Sequence, residues 1–177
     1  MNTPESQRVV VHVSDKPSLV AICRAVLLHP QAFFQNLQLD TPLDESLKFL
    51  AVILAISSLG HLFDGGITGY IGAFVGNAAT QVVFAVALTF MAKVFGGTRD
   101  FSNMLRACCY ASVPLLLHLL PLVGLLGNIY GLYLLFLGVQ RTQQLDKKKS
   151  LFTVLSACVC CIAVSAIWHG LFHGHHR

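Results

Sequence analysis

The chain alternates long apolar runs with short polar breaks. Leu47–Phe63 is interrupted only by Lys48 near its start and His61 near its end, and Ile67–Ala92 contains no charge. Ala107–Val139 carries no formal charge over 33 residues, and Leu151–Phe172 is the last run. A membrane-crossing helix needs roughly 17–25 mostly apolar residues. The third run is too long for one ordinary span. It contains Pro114, Pro121, Gly124 and Gly127, and Pro121–Gly127 is the natural turn of a hairpin. Lipid offers backbone groups no water, so spans must be helices or a closed barrel. A barrel would show alternation over segments of about ten residues, whereas these runs are continuous. The pattern predicts an all-α polytopic membrane protein. Its five transmembrane helices fall at about 47–63, 67–92, 104–120, 123–140 and 151–172.

The first part of the chain reads differently. Residues 1–17 form a polar arm without the basic-then-apolar order of a secretory signal, so the first span is expected to act as an uncleaved insertion signal. Ser18 is a candidate N-cap, and Leu19, Ile22, Cys23 and Val26 share a face of a helix that also carries Arg24. Pro30 interrupts this helix and can begin a new turn, Gln31–Leu39, with Phe33, Phe34 and Leu37 apolar. Two readings stand for residues 18–46. They form a cytoplasmic amphipathic segment lying on the membrane surface, or a helix packed on the cytoplasmic end of the bundle. Asp40–Asp44 reads as a turn. A transmembrane domain over 47–172 and a His-rich external tail over 173–177 complete the chain.

Composition sharpens this picture. Of the 177 residues, 55% are hydrophobic and 11% charged. Soluble domains carry about 25% charged residues, so disorder is ruled out and the composition argues against an ordinary soluble enzyme. The balance of 12 Lys+Arg against 8 Asp+Glu, net +4, is too weak to argue for nucleic acid. Position matters more. With five spans, Arg8, Lys16, Arg24 and Lys48 share one side with Lys93, Arg99, Arg106, Arg141 and Lys147–Lys149, while Arg177 falls on the other. The positive-inside rule then puts the N-terminus in the cytoplasm and the C-terminus outside. The bacterial inner membrane is the expected location. The cluster Lys147-Lys148-Lys149 could also attract anionic lipid. The six cysteines, Cys23, Cys108, Cys109, Cys158, Cys160 and Cys161, fit no disulfide or zinc spacing and read as small packing residues.

Polar groups inside an apolar span invite a functional reading. Asn77 and Gln81 lie one helical turn apart in the second span. His118 and Asn128 flank the hairpin turn, and His61 and Asp64 lie at the end of the first span. They could line a polar or protonatable track, as in a small transporter or channel, or simply hydrogen-bond between helices at about 1 kcal/mol each. At the C-terminus, His169 and His173 share a helix face, and His175 and His176 could join them as metal ligands; Trp168 fits an interface anchor. Gly72 and Gly76 form one GxxxG, and Gly127 and Gly131 another that Gly138 continues. Such stripes let helices approach closely. No zinc-protease, phosphate-loop or serine-hydrolase motif occurs, so no enzyme and no cofactor are expected.

One block goes beyond composition. Gly96-Gly97 is followed by Phe101, a short helix, and Tyr110-Ala-Ser-Val-Pro114 at the start of the apolar hairpin. His29-Pro30-Gln-Ala-Phe33-Phe34 precedes the first span, and Ile129-Tyr-Gly-Leu-Tyr133 leads to Leu137-Gly138-Val139. In order and spacing these resemble the Yip-one (Ypt/Rab-interacting protein) domain family over roughly residues 27–170. The short form resembles its bacterial members. The resemblance implies a five-span helical bundle, with Pro30, Phe33, Gly96, Gly97, Tyr110, Pro114 and Gly138 as structural positions and no catalytic residues. Eukaryotic members are implicated in trafficking with Rab-type GTPases and carry an Asp-Leu-Tyr-Gly-Pro-like motif. This chain lacks that motif, which argues against such a partner. The expected function is a non-enzymatic membrane protein that organises lipids or partner proteins, including copies of itself. A transporter or channel is the first alternative and a metal-handling protein the second.

Overall fold

The computed structural model describes residues 18–173 apart from 41, 99 and 120. These residues form helices joined by short turns, with no strand among them. The helices are α1 (Leu19–Leu28), α2 (Pro30–Gln35), α3 (Leu43–Ser57), α4 (His61–Val94), α5 (Phe101–Ala111), α6 (Pro121–Thr142) and α7 (Lys147–His173). Two 3-10 turns, Ser58–Gly60 and Val113–Leu119, follow α3 and α5. Two segments, Leu43–Phe63 and Gly65–Val94, are each long and apolar enough to cross a membrane among the described residues.

Local chemistry accounts for many of the boundaries. Ser18 accepts a hydrogen bond from the Ala21 amide and caps α1, as its sequence context suggested. Pro30 occupies the first turn of α2, where its missing N–H costs nothing. Asp100 caps α5 by accepting from the Asn103 amide. The turn between α4 and α5 uses Gly96 at φ 89, a backbone region costly for any residue with a Cβ.

Three expected boundaries are corrected. Pro121–Gly127 is no turn: α6 begins at Pro121, a favourable first helical position, and Gly124 and Gly127 lie inside the helix. The expected helix over 104–120 is an α-helix only to Ala111 and continues as the 3-10 stretch containing Pro114. A proline cannot donate in the α-helical ladder, so the helix changes pitch there. The Asp40–Asp44 turn is shorter than expected, since α3 already begins at Leu43. In addition, α4 is broken near its start, where Gly66 adopts φ 60 and ψ −152.

Helix α5 is the buried axis of the fold. Met104, Leu105, Arg106, Ala107, Cys108, Cys109 and Ala111 are all buried. A helix buried on every side belongs to a core. Its surroundings divide into two apolar clusters. One joins α5 to α3, α4, α6 and α7 through Leu54, Leu88, Met104, Cys108, Val139 and Val154. The other joins α5 to α1, α2, α3 and α6 through Val26, Phe34, Leu37, Ile53, Ala107 and Leu134.

Candidate functional site

Two features stand out: a polar and aromatic joint at one end of the bundle, and a cavity among α4–α7. The joint begins with Arg106. Its side chain is 3% exposed, a strong desolvation for a permanent cation. The guanidinium donates to the Gln38 carbonyl at 3.1 Å, to the Leu39 carbonyl, and to Asn103 Oδ1 at 2.9 Å. Asn103 is itself positioned by Asp100. The cation thus holds the exit of the N-terminal segment against α5. Nearby, Gln143 donates to the Asp100 carbonyl at 3.1 Å and Thr98 to the Thr142 carbonyl at 3.1 Å. These bonds bring the α4–α5 loop, the α6–α7 loop and the N-terminal segment to one end of the bundle.

The N-terminal segment does not lie apart from the bundle. Of the two readings of residues 18–39, a segment on the membrane surface or a helix packed on the bundle, the contacts show packing, here along the side of the bundle. Phe34 and Val26 are buried in the second cluster. Phe33 meets Tyr110 edge-on at 5.1 Å, and Phe49 meets the same ring at 5.2 Å. Ser46 donates to the Tyr110 hydroxyl at 3.3 Å. Further along α6, Gln31 donates to the Tyr133 hydroxyl at 3.1 Å, and Tyr130 donates to the carbonyls of Val26 and Leu27 at 3.2 and 2.8 Å. Tyr130 lies about 18 Å along α6 from Thr142 at 1.5 Å per residue. The α1–α2 hairpin therefore runs lengthwise along the bundle, while Val20 and Leu28 on its outer side stay exposed. Apolar side chains buried in a protein groove need no lipid to cover them.

Most of the positions singled out by motif lie in this joint or along the packed N-terminal segment, whereas Pro114 stands at the cavity. A Cβ at Gly138 would sit 2.8 Å from the Ala107 Cβ and 3.4 Å from the Phe34 ring. Gly97 lies under Gln143 and Gly96 makes the positive-φ turn. Pro30 opens α2. The Pro114 carbonyl lies 3.0 Å from where a Gly127 Cβ would stand. Of the glycine stripes, Gly127 and Gly138 are contact points, whereas Gly72, Gly76 and Gly131 face open space.

The cavity of ≈ 380 Å³ lies among four helices that touch in a ring: α4 with α5, α5 with α6, α6 with α7, and α7 with α4. Gln81 on α4, Ser112 just after α5 and Asn128 on α6 line it with Cys158 and Cys161 of α7. Phe84, Cys108, Leu135 and Cys158 belong both to its wall and to the first apolar cluster. Below them Leu88, Met104, Val139 and Val154 fill the space between the helices. The cavity is thus a vestibule with an apolar floor.

The other predicted residues scatter. Gln81 and Asn128 share the cavity, but Asn77 is not part of its lining. His61 is exposed in the first turn of α4. The side chains of Asp64 and His118 lie outside the described set, as do those of His169 and His173 on α7. His175 and His176 lie outside the described residues altogether. No cluster of three metal-ligating side chains occurs among the described residues.

The most telling residue of the joint, Arg106, was legible in the sequence only as a topology marker. The available signal was its place inside an otherwise apolar stretch, Met104-Leu105-Arg106-Ala107-Cys108. Asn103 and Gln143 gave no such signal, and Tyr130 stood in the motif block without any sign of what it bonds.

A helical bundle, among the described residues, with two segments of membrane-crossing length defines the class, a membrane protein of the Yip type. The Yip1 domain family matches residues 24–168, and the chain belongs to that family. The match begins within α1 and ends within α7, so it takes in α2 and most of the ring of helices. No curated protein and no solved structure matches the chain.

Proposed function

We propose that the protein is a non-enzymatic, multi-pass scaffold of the bacterial inner membrane, with a cytoplasmic N-terminus and an external C-terminus. It organises anionic lipid at its cytoplasmic end and partner proteins along the outer side of its N-terminal segment. Five crossings are supported by helix dimensions. The α5 helix with its 3-10 extension is about 30 Å long at 1.5 and 2.0 Å per residue, the thickness of the hydrocarbon core. The helices α6 and α7 have 22 and 27 residues.

The observation that carries this reading is a second, apolar groove between α6 and α7. Leu132, Phe136, Leu151 and Leu155 line it, and Lys147 and Lys148 stand in its wall at the start of α7. An acyl chain in such a groove leaves its phosphate beside two ammonium groups. That attraction is worth about 1 kcal/mol per charge near the surface. The exposed outer side of α1–α2, with Val20 and Leu28, offers the partner surface. The test is lipid analysis after mild solubilisation. Wild type should retain anionic phospholipid, and the Lys147→Gln/Lys148→Gln/Lys149→Gln variant should lose that preference. Equal retention would remove the lipid half of the proposal. A photo-crosslinker at Val20 or Leu28 should trap a reproducible protein neighbour, and recovery of only uncrosslinked monomer would remove the other half.

A transporter or channel is the second reading, and the vestibule around Gln81 and Asn128 favours it. The packed layer of Leu88, Met104, Val139 and Val154 beneath works against a continuous path. The histidine tail is the remaining candidate for metal handling.

A further inference from the structure

The cavity among α4–α7 contains an unusual combination. Its lining residues are apolar, small or neutral polar, and none carries a formal charge. Its ≈ 380 Å³ falls within the range of small-molecule sites, which bundles often form between their helices. The polar groups are not equivalent. Thr80 donates its hydroxyl to the Gly76 carbonyl and Ser112 to the Cys109 carbonyl, so both are satisfied within their own stretch of chain. Gln81 makes no hydrogen bond among the described residues, yet it is half-buried in the cavity wall. Its amide atoms stay open to the cavity, and within a membrane an unpartnered amide costs free energy that a hydrogen-bonding ligand would recover. Gly131 widens the space, since a Cβ there would meet nothing within 4 Å.

From this geometry we infer that the cavity binds an uncharged single-chain lipid, its hydroxyl or ester carbonyl bonded to Gln81 and its chain against Phe84, Leu135 and Ile162. The ligand is neutral because the cavity has no cation to offset a buried carboxylate or phosphate. It is a lipid because the walls are apolar and Leu132 and Ile162 at the cavity are exposed toward the surroundings of the bundle. The site adjoins the groove at Lys147 and Lys148, with which it shares Leu132, but its own lining holds neither lysine, and it rests on the bundle being embedded in a membrane as proposed above.

The test uses the full chain in phosphatidylcholine vesicles containing a monoacylglycerol with a diazirine in its acyl chain. Photolysis followed by peptide mass spectrometry locates the adducts. Adducts on Phe84, Leu135 or Ile162 are expected, and an alkyl sulfonate of equal length with the same diazirine, which stays charged at any working pH, should give few there. Gly131→Leu directs a side chain into the cavity from a position whose Cβ meets nothing within 4 Å, and should abolish these adducts while sparing those at Val82 and Val86 on the exposed side of α4. Gln81→Leu removes one hydrogen bond and should weaken labelling about fivefold. Cavity adducts unchanged in Gly131→Leu or in Gln81→Leu, or equal labelling by the alkyl sulfonate, would overturn the inference. Adducts confined to Val82 and Val86 would overturn it while leaving the membrane reading intact. Absence of adducts on every helix would overturn both.

Discussion

The Arg106 guanidinium donates to the backbone carbonyl of Gln38, 68 positions earlier in the chain, at 3.1 Å. A permanent cation is thereby buried against the last turn before the first long helix. Breaking a buried charged contact costs more than its formation contributes, because the partners are left dry and unpaired. Removing the charge and its donors together is milder, but the Gln38 and Leu39 carbonyls lose their partner. Arg106→Ala should destabilise the protein by about 2–4 kcal/mol. Thermal unfolding in detergent measures this. Arg106→Lys should recover only part of the loss, since an ammonium cannot span the same carbonyls and Asn103 with a planar fork. Full stability in Arg106→Ala would show that the joint does not depend on this residue.

Cys23 reports whether the hairpin stays docked. Burial pushes its thiol up from the ordinary cysteine value, against the opposing pull of its own backbone hydrogen bond. A raised thiol holds less thiolate at a given pH, so alkylation should begin at higher pH than for a free cysteine. Release of α1–α2 in Arg106→Ala should move that onset down and speed alkylation near pH 8. Site-resolved mass spectrometry separates Cys23 from the other five thiols. An unchanged onset would mean that the hairpin stays docked without Arg106.

Gly138 and Ala107 form a reciprocal pair. Gly138→Ala places a methyl 2.8 Å from the Ala107 methyl, closer than carbon atoms tolerate. The expected loss is about 1–3 kcal/mol, typical of overpacking. Ala107→Gly should rescue much of it by vacating the opposing volume. A double-mutant cycle on thermal stability decides the matter, and additive losses would count against direct contact.

Two other glycines should behave oppositely. Gly96 sits at φ 89, so Gly96→Ala strains the backbone by about 1–2 kcal/mol. Gly72 is helical and a Cβ there meets nothing, so Gly72→Ala should be neutral or stabilising by up to about 1 kcal/mol. Unfolding midpoints of the two variants provide the comparison. Equal losses would indicate that Gly72 packs against a second chain in the membrane.

Tyr130 anchors the hairpin farther along the bundle. Tyr130→Phe removes the hydroxyl that reaches the Val26 and Leu27 carbonyls and should cost about 1 kcal/mol. Cys23 alkylation should rise with it, though less than in Arg106→Ala. No change in either measurement would reduce the contact to a passive one.

Much of the architecture was legible before any coordinates. Apolar runs over 47–63 and 67–92 correspond to the two segments of crossing length, and Ser18 and Pro30 mark helix starts where their chemistry suggests. Hydrophobic length and local capping act over a few neighbouring residues, so the linear pattern contains them. Pro121 was harder. A proline is equally compatible with a turn and with a first helical position, and only the path of the chain separates these. The motif block pointed to Gly97, Tyr110 and Gly138 without saying what they touch.

By itself the sequence determined the apolar class of the protein, the number and order of its long hydrophobic runs, and the clustering of its basic residues between them. These depend on composition and near-neighbour spacing. The tertiary structure decided what Arg106 does, where α1–α2 lies, and which polar residues meet. Gln81 and Asn128 came to share a cavity while Asn77 did not, although Asn77 and Gln81 are only one turn apart. Such outcomes depend on helix rotation and on contacts between distant parts of the chain. Alignment of α4 with α6 across a cavity, or of Arg106 with a carbonyl 68 positions away, is a packing result that no local pattern encodes.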